Sequence, residues 1–178
     1  RIKTKPQEPL SILEGNLSAD LLEEIIRFAE DCSIYSSFQW MWSENIKVYA
    51  VFKTNHEEGL EDLNRFKKVF SSKIKYNITN IVGLIEMPAF SVRGNENYYS
   101  EIIGLLSPRW NNESKKIITD VVNKLIEIRP HSKCSISSQQ LGGATNIDSK
   151  LMTSFIHRNA IWKPWITATW PAGDQYCK

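Results

Sequence analysis

The sequence predicts an α+β domain in which helices pack on one face of an antiparallel β-sheet. Segments with apolar residues at helical spacing are interleaved with short segments rich in aromatic and β-branched residues, and the links between them are short. The chain has 178 residues, of which 42% are hydrophobic and 24% charged. These values suit a single domain with one core.

Three segments have the periodicity of amphipathic helices. The first begins at Ser18, a good N-cap residue, and ends near Cys32. The third lies between Asn112 and Pro130 and has the most continuous apolar stripe in the chain. The stripes of the second and third helices consist of Leu60, Leu63, Phe66 and Phe70, and of Ile117, Ile118, Val121, Val122, Leu125 and Ile126.

The β-strand signals occur in five segments. Residues 35–42 and 46–53 flank a tight turn and predict a hairpin, and residues 78–87 predict a third strand that Pro88 ends. Residues 134–141 and 165–170 predict two more.

Two segments are not assigned to helices or strands of the domain. Pro6 and Pro9 predict that residues 1–17 form an extended connector, so that the domain covers residues 18–178. Glycine and proline interrupt residues 89–110, which predicts a loop with a short helix.

Charge and hydropathy exclude two classes of partner. The 22 basic and 20 acidic residues are spread along the chain and leave a net charge of +2, so no basic stripe for nucleic acid is expected. No segment has the uninterrupted apolar length that spans a bilayer, so we expect no membrane contact. The cysteines and histidines lack the spacing of a closed metal site, so no metal is expected.

Sequons and cysteines bear on the cellular compartment. Three N-x-S/T sequons, at Asn16, Asn77 and Asn112, favour a secreted glycoprotein. Of three cysteines, Cys177 could bond to another polypeptide in an oxidising compartment. Cys32 and Cys134 also suit buried free thiols. Their pairing stays open.

The first hairpin strand separates aromatic from other side chains. Phe38, Trp40 and Trp42 alternate with Gln39 and Met41, so the three rings share one face of the strand. Those rings either fill the core under the helices or contact a ligand. In the first case the opposite face would form the wall of a pocket.

Two further clusters could bind a ligand. Gln139 and Gln140 precede a glycine pair, and their amides can donate and accept hydrogen bonds. Arg158 next to His157 disfavours the charged imidazolium, which would leave a neutral histidine able to orient a substrate or cofactor. An ordinary turn, a structural histidine and a surface ion pair explain the same residues.

The second half of the chain contains a motif of a known family. Gly142, Gly143 and Ala144, followed after a spacer by Ser154, Phe155, His157 and Arg158, resemble the "GGA…TAF-x-HR" segment of flavin-linked oxidoreductases related to berberine bridge enzyme and the sugar oxidases. The opening residues 1–6 look like the exit strand of that family's flavin-binding domain.

The resemblance implies the fold of the substrate domain of a vanillyl-alcohol-oxidase-like flavoenzyme. FAD would be bound mainly by a domain absent from this chain, in the same protein or a companion chain, and this domain's sheet would cover the flavin ring. The activity would be hydride transfer to flavin from a small organic substrate, either a sugar or a secondary metabolite. The chain alone would be inactive and hold no flavin.

The resemblance and the residue chemistry together give a candidate site. Glu86 partly matches the glutamate that serves as the base in some family members, and Arg158 would contact the cofactor. The expected substrate-binding residues are Gln139, Gln140, His157, Trp40 and Met41. We expect the two glutamines, His157 and Arg158 near one end of a single, helix-free sheet face that exposes apolar and amide groups.

Two alternative functions remain open at this stage. A non-catalytic carbohydrate-binding module would stack the aromatic face of the hairpin on a sugar. A sheet-based RNA binder would also use aromatic strands, but the absence of a basic stripe argues against it.

Overall fold

A computed structural model of the chain describes residues 8–82, 97–110, 112–141, 157 and 159–173. Within these residues, three helices lie against one sheet of seven strands. The helices are α1 (Leu22–Glu30, after a 3₁₀ turn at Ala19–Leu21), α2 (Glu57–Phe70) and α3 (Asn112–Ile128). The strands are β1 (Leu10–Leu17), β2 (Ser36–Trp42), β3 (Ile46–Phe52), β4 (Lys75–Ile81), β5 (Tyr98–Gly104), β6 (Ser135–Gln140) and β7 (Trp162–Pro171).

The sheet is antiparallel at every strand pair. Its strand order is β4, β1, β3, β2, β6, β7, β5, so β4 and β5 form the two edges. The predicted hairpin of β2 and β3 lies near the centre, with Trp42 opposite Ile46.

The core lies between the sheet and the helices. Phe28 of α1 packs edge-on against Phe38 of β2 at 5.8 Å between ring centroids, and against Phe66 of α2 at 5.7 Å. Trp40 and Phe52 are also fully buried on this side. Because full burial of each such ring stabilises the fold by about 1.5–3 kcal/mol, this layer supplies much of the stability. The predicted α+β class is confirmed.

A buried carboxylate at the end of α1 fixes the position of β7. Glu30 accepts hydrogen bonds from the Trp162 indole at 2.9 Å and the Trp110 backbone N–H at 3.1 Å, and it pairs with Lys115 at 2.7 Å. Arg109 adds a longer contact at 3.3 Å. This network ties α1 and α3 to the start of β7.

Two strands lie where the sequence predicted none. Residues 10–17, predicted as part of the connector, form β1 between β3 and β4. Residues 98–104, predicted within a loop and short helix, form the edge strand β5. Both errors have the same cause, since an extended segment becomes a strand only through partners that are distant in sequence.

The apolar stripe of α3 is wider than the surface that covers it. Val122 is buried and Ile118 half-buried, but Ile117 is 53% exposed and Val121 48% exposed. The helix packs on α1 and β6 along one edge of the stripe only. None of the described helices is both long and apolar enough to cross a membrane.

Candidate functional site

The sheet face opposite the helices, here called the open face, carries a continuous line of polar side chains. Directly paired residues of antiparallel strands project to the same face, so the strand registers define this line. It crosses six strands in the order Asn77, Glu14, Tyr49, Gln39, Gln139 and Lys163, here called the polar row. At about 4.8 Å per strand, its ends lie roughly 24 Å apart.

The adjacent row on the same face combines polar and apolar side chains. It runs through Lys75, Asn16, Lys47, Met41, Ser137, Trp165 and Gly104, here called the mixed row. Trp165 lies diagonally beside Gln139 and offers an indole ring next to an amide. Amides beside a half-buried ring suit a ligand with both hydroxyl groups and an apolar face.

Two depressions lie along these rows. One of about 280 Å³ lies over β4, β1 and β3, and the other of about 530 Å³ lies over β2, β6, β7 and β5. We call the first the lysine notch and the second the glutamine groove. The notch is lined by Glu14, Gly15, Asn16, Lys47, Tyr49, Lys75, Tyr76 and Asn77, and the groove by Gln39, Ile102, Gly104, Gln139, Lys163 and Trp165.

Tyr49 lies in the polar row between Glu14 and Gln39. Partial burial raises the pKa of the Tyr49 phenol, and the negative charge of Glu14 raises it further. The phenol is therefore neutral at physiological pH, so it both donates and accepts hydrogen bonds. In this form it can hydrogen-bond a hydroxyl group of a ligand.

Ser137 is fully buried in the mixed row between Met41 and Trp165. Its Oγ has no hydrogen-bond partner among the described residues, which is uncommon for a buried hydroxyl. Across the neighbouring pair of β7 and β5, the Thr169 and Ser100 hydroxyls lie 3.2 Å apart and satisfy each other. The Ser137 hydroxyl therefore lies on the open face of β6 and can still form hydrogen bonds.

The structure separates the predicted substrate-binding residues between the two faces. Gln139 is exposed in the glutamine groove, and Met41 is half-buried in the mixed row. Trp40 and Gln140 instead lie on the helix side and are 1% and 9% exposed. The prediction that all four residues share one site is therefore wrong.

The pleat of the strands explains this separation. Neighbouring residues point to opposite faces, so Gln139 and Gln140 cannot both face a ligand. The Gln140 amide accepts a hydrogen bond from the Phe38 backbone N–H at 3.1 Å and donates one to the Ala29 carbonyl at 2.8 Å. Gln140 therefore joins β6 to β2 and α1. Trp40 fills the core beside it.

The other predicted site residues are His157, Glu86 and Arg158. His157 is exposed, and its carbonyl accepts a hydrogen bond from the Ala160 N–H at 3.0 Å. Its contact with a substrate stays a prediction. Glu86 and Arg158, the predicted base and cofactor contact, lie outside the described residues.

Sequence reasoning missed Glu14, Tyr49 and Lys163. Glu14 lies in the segment predicted to be a connector, and Lys163 precedes the predicted start of the last strand. An available signal was the alternation of Lys163 and Trp165 with Trp162 and Pro164, which extends the strand pattern toward its N-terminal end.

The described cysteines have no catalytic character. Cys32 and Cys134 are both free thiols, and Cys134 is buried. Burial raises the pKa of the Cys32 thiol, and the charge of Asp62 raises it further, so the thiol stays protonated. No group of metal-binding side chains occurs among the residues that the structure describes.

Several solved structures have a similar fold. Chitooligosaccharide oxidase superimposes with a TM-score of 0.71 at 15% identity, covering 97% of this chain and 41% of the oxidase. BBE-like 1 of Physcomitrella patens gives 0.64 at 12%, covering 94% and 40%. Glucooligosaccharide oxidase from Acremonium strictum, which carries a 6-S-cysteinyl, 8α-N1-histidyl FAD, gives 0.66 at 14%, covering 92% and 38%.

The chain shares its fold with one part of these proteins. It spans about two fifths of their length, and at these identities the similarity concerns the fold alone. No protein-family model matches the sequence, and no curated protein matches it significantly. The structural similarity nevertheless agrees with the family that the sequence motif resembles.

Proposed function

We propose that the chain is the substrate-binding domain of an FAD-dependent oxidoreductase, with its open face covering the flavin and the substrate. The observation that carries this proposal is the contrast between the two sheet faces. The described helices cover one face, while the other presents two depressions lined by amides, a phenol and an indole. The similar folds include an oxidase with bound FAD.

The described residues suit the covering of a flavin better than the binding of its phosphates. Gln39, Gln139 and Trp165 offer flat polar and aromatic groups to a ring system and its ligand. None of the three described helices begins at a glycine-rich loop of the kind that binds a pyrophosphate. The FAD phosphates would therefore bind a flavin domain outside this chain, in the same protein or a companion chain.

The residues of this chain would bind and orient the substrate. When bound, FAD accepts a hydride from the substrate. Gln39 and Gln139 would hold hydroxyl or carbonyl groups of the substrate, and the neutral Tyr49 phenol would donate a hydrogen bond at the far side. Glu86 and His157 remain the proposed base and a further substrate contact.

An absorption spectrum of the purified full-length source protein tests this proposal. We expect the bands of an oxidised flavin, which bleach when a substrate is added without oxygen. A full-length protein that contains no flavin after native purification would contradict the proposal.

A carbohydrate-binding module could not use the aromatic face of the hairpin. The aromatic face of the hairpin lies in the core, so Trp40 cannot stack on a sugar. The open face, with Trp165, could support such a module.

We also propose that the protein passes through a secretory pathway. The three acceptor asparagines Asn16, Asn77 and Asn112 are all exposed. Asn112 accepts a hydrogen bond from Arg27 at 2.9 Å through its Oδ1, which leaves its nitrogen for a glycan. A mass decrease after enzymatic deglycosylation of the native protein would support this proposal, and an unchanged mass would contradict it.

A further inference from the structure

Three lysines of the open face form no ion pair within the part of the chain that the structure describes. Lys47, Lys75 and Lys163 are exposed on β3, β4 and β7, and none of them forms an ion pair with a carboxylate among the described residues. The strands present one acid on this face, Glu14. The open face therefore has an excess of positive charge.

Two of these lysines converge on the lysine notch. Lys75 and Lys47 are the direct register partners of Asn16 on its two sides, so their Cα atoms lie roughly 10 Å apart across β1. Both line the same depression of about 280 Å³, together with the neutral donors Asn77 and Tyr49. Lysine side chains are long enough for both ammonium groups to contact one anion placed over Asn16. Glu14 lies in the adjacent row and weakens this attraction without neutralising it.

The notch is continuous with the glutamine groove. The polar row leads from Asn77 through Tyr49 to Gln39 and Gln139, and each of these side chains can donate and accept hydrogen bonds. Trp165 provides a ring at the groove end. A ligand that used both depressions would be extended, rich in hydroxyl groups and anionic, because Lys163 lines the groove as Lys47 and Lys75 line the notch.

We propose that the open face binds an acidic oligosaccharide, with a carboxylate held between Lys47 and Lys75 and a sugar ring near Trp165. This inference rests on the proposed function, because it names the substrate class for the same face. It also explains why lysines, rather than further amides, line the notch.

Calorimetric titration of the 178-residue chain tests the inference. The probes are tetragalacturonate and its methyl ester, which has the same sugar chain without the charge. We expect the acid to bind about tenfold more tightly than the ester at low salt, because charge-assisted hydrogen bonds are the stronger ones. The preference should shrink as salt is added.

Matched variants locate the preference. A double variant with Lys47→Gln and Lys75→Gln should reduce the preference for the acid over the ester to less than about twofold, since the anion loses both partners. The control variant with Lys67→Gln and Lys68→Gln removes the same amount of charge from α2 and should leave the preference for the acid unchanged. Glu14→Gln should increase it. Equal affinity for acid and ester, or equal loss in both double variants, would overturn the inference.

Glycan mapping gives a second, independent test. Asn16 and Asn77 line the notch, so a glycan on either one would occupy the proposed carboxylate site. We expect any glycan on the native protein at Asn112 instead. Full occupancy of Asn16 or Asn77 would overturn the inference.

The failure of this inference can be distinguished from failure of the proposed function. A full-length flavoprotein that oxidises a neutral substrate equally well with and without Lys47 and Lys75 would refute the acidic substrate and leave the oxidoreductase intact. A protein that binds tetragalacturonate through these lysines but contains no flavin would refute the oxidoreductase and leave the acidic ligand.

Discussion

The two faces of the sheet differ in whether their charged side chains have partners. On the helix side, the buried charged groups are paired: Glu30 contacts Lys115 at 2.7 Å, and Asp62 accepts hydrogen bonds from the Ser33 and Ser36 hydroxyls at 2.7 and 2.9 Å. On the open face, Lys47 and Lys163 have no acidic partner among the described residues. Paired buried groups fix the fold, whereas unpaired exposed groups are available to a ligand.

This difference predicts which substitutions affect stability and which affect binding. Side chains on the helix side should change the free energy of unfolding and leave ligand contacts unaffected. Side chains in the polar and mixed rows should do the reverse.

The largest loss of stability is expected from Glu30→Ala. The change leaves the buried Lys115 ammonium without its partner, and breaking a buried ion pair in this way costs about 3–5 kcal/mol. Chemical denaturation should show the loss. Glu23→Ala removes an exposed ion pair with Arg27 and should cost less than about 1 kcal/mol. Similar losses for both variants would contradict the buried network.

Glu30 should also make stability depend on pH. Burial alone would raise the pKa of Glu30, but hydrogen bonds from Lys115, Trp162 and Trp110 outweigh it, so the folded-state pKa is lowered. A lowered folded-state pKa contributes stability above the unfolded value and loses it as pH falls through the folded value. Denaturation midpoints measured from neutral to acidic pH should therefore fall more steeply for the native chain than for Glu30→Gln. Identical pH profiles would show that Glu30 is not the responsible group.

A smaller loss is expected from Gln140→Ala. This change removes the acceptor of the buried Phe38 N–H, and leaving such a group unsatisfied costs about 1–3 kcal/mol. Denaturation compared with Gln139→Ala provides the matched control. A Gln140→Ala variant as stable as the native chain would mean that the amide is not structural.

The smallest effect is expected on the open face. Lys163→Gln removes an exposed charge that contacts no described carboxylate, so the free energy of unfolding should stay within about 0.5 kcal/mol of the native value. Denaturation measured in the same buffer checks this expectation. A larger loss would indicate that Lys163 has a structural role.

Local patterns were sufficient for much of the fold. The alternation of Phe38, Trp40 and Trp42 with Gln39 and Met41 predicted a strand with its three rings on one face, because the period of two is set by the backbone itself. It did not decide whether that face is buried or contacts a ligand. The spacing in α2 likewise identified Leu63, Phe66 and Phe70 as buried. These signals depend on residues close together in sequence.

The site could be predicted only in part, because it is assembled by long-range pairing. Gln39 and Gln139 lie 100 positions apart, and only the register of β2 with β6 shows that they are neighbours. The resemblance to the flavoenzyme family rests mainly on residues that follow Gln140 and did not indicate which of the adjacent glutamines lies on the open face. The pleat decides that point through the buried partners of Gln140.

The kinetics of Gln139→Ala and Gln140→Ala in the full-length protein test the account most directly. The two substitutions are chemically identical and adjacent, but they act on opposite faces. We expect Gln139→Ala to lower kcat/KM by about tenfold with unchanged stability, and Gln140→Ala to lower stability while the folded fraction keeps kcat/KM within about twofold. The reverse result, with turnover lost only in Gln140→Ala, would place the substrate on the other side of β6 and contradict the account.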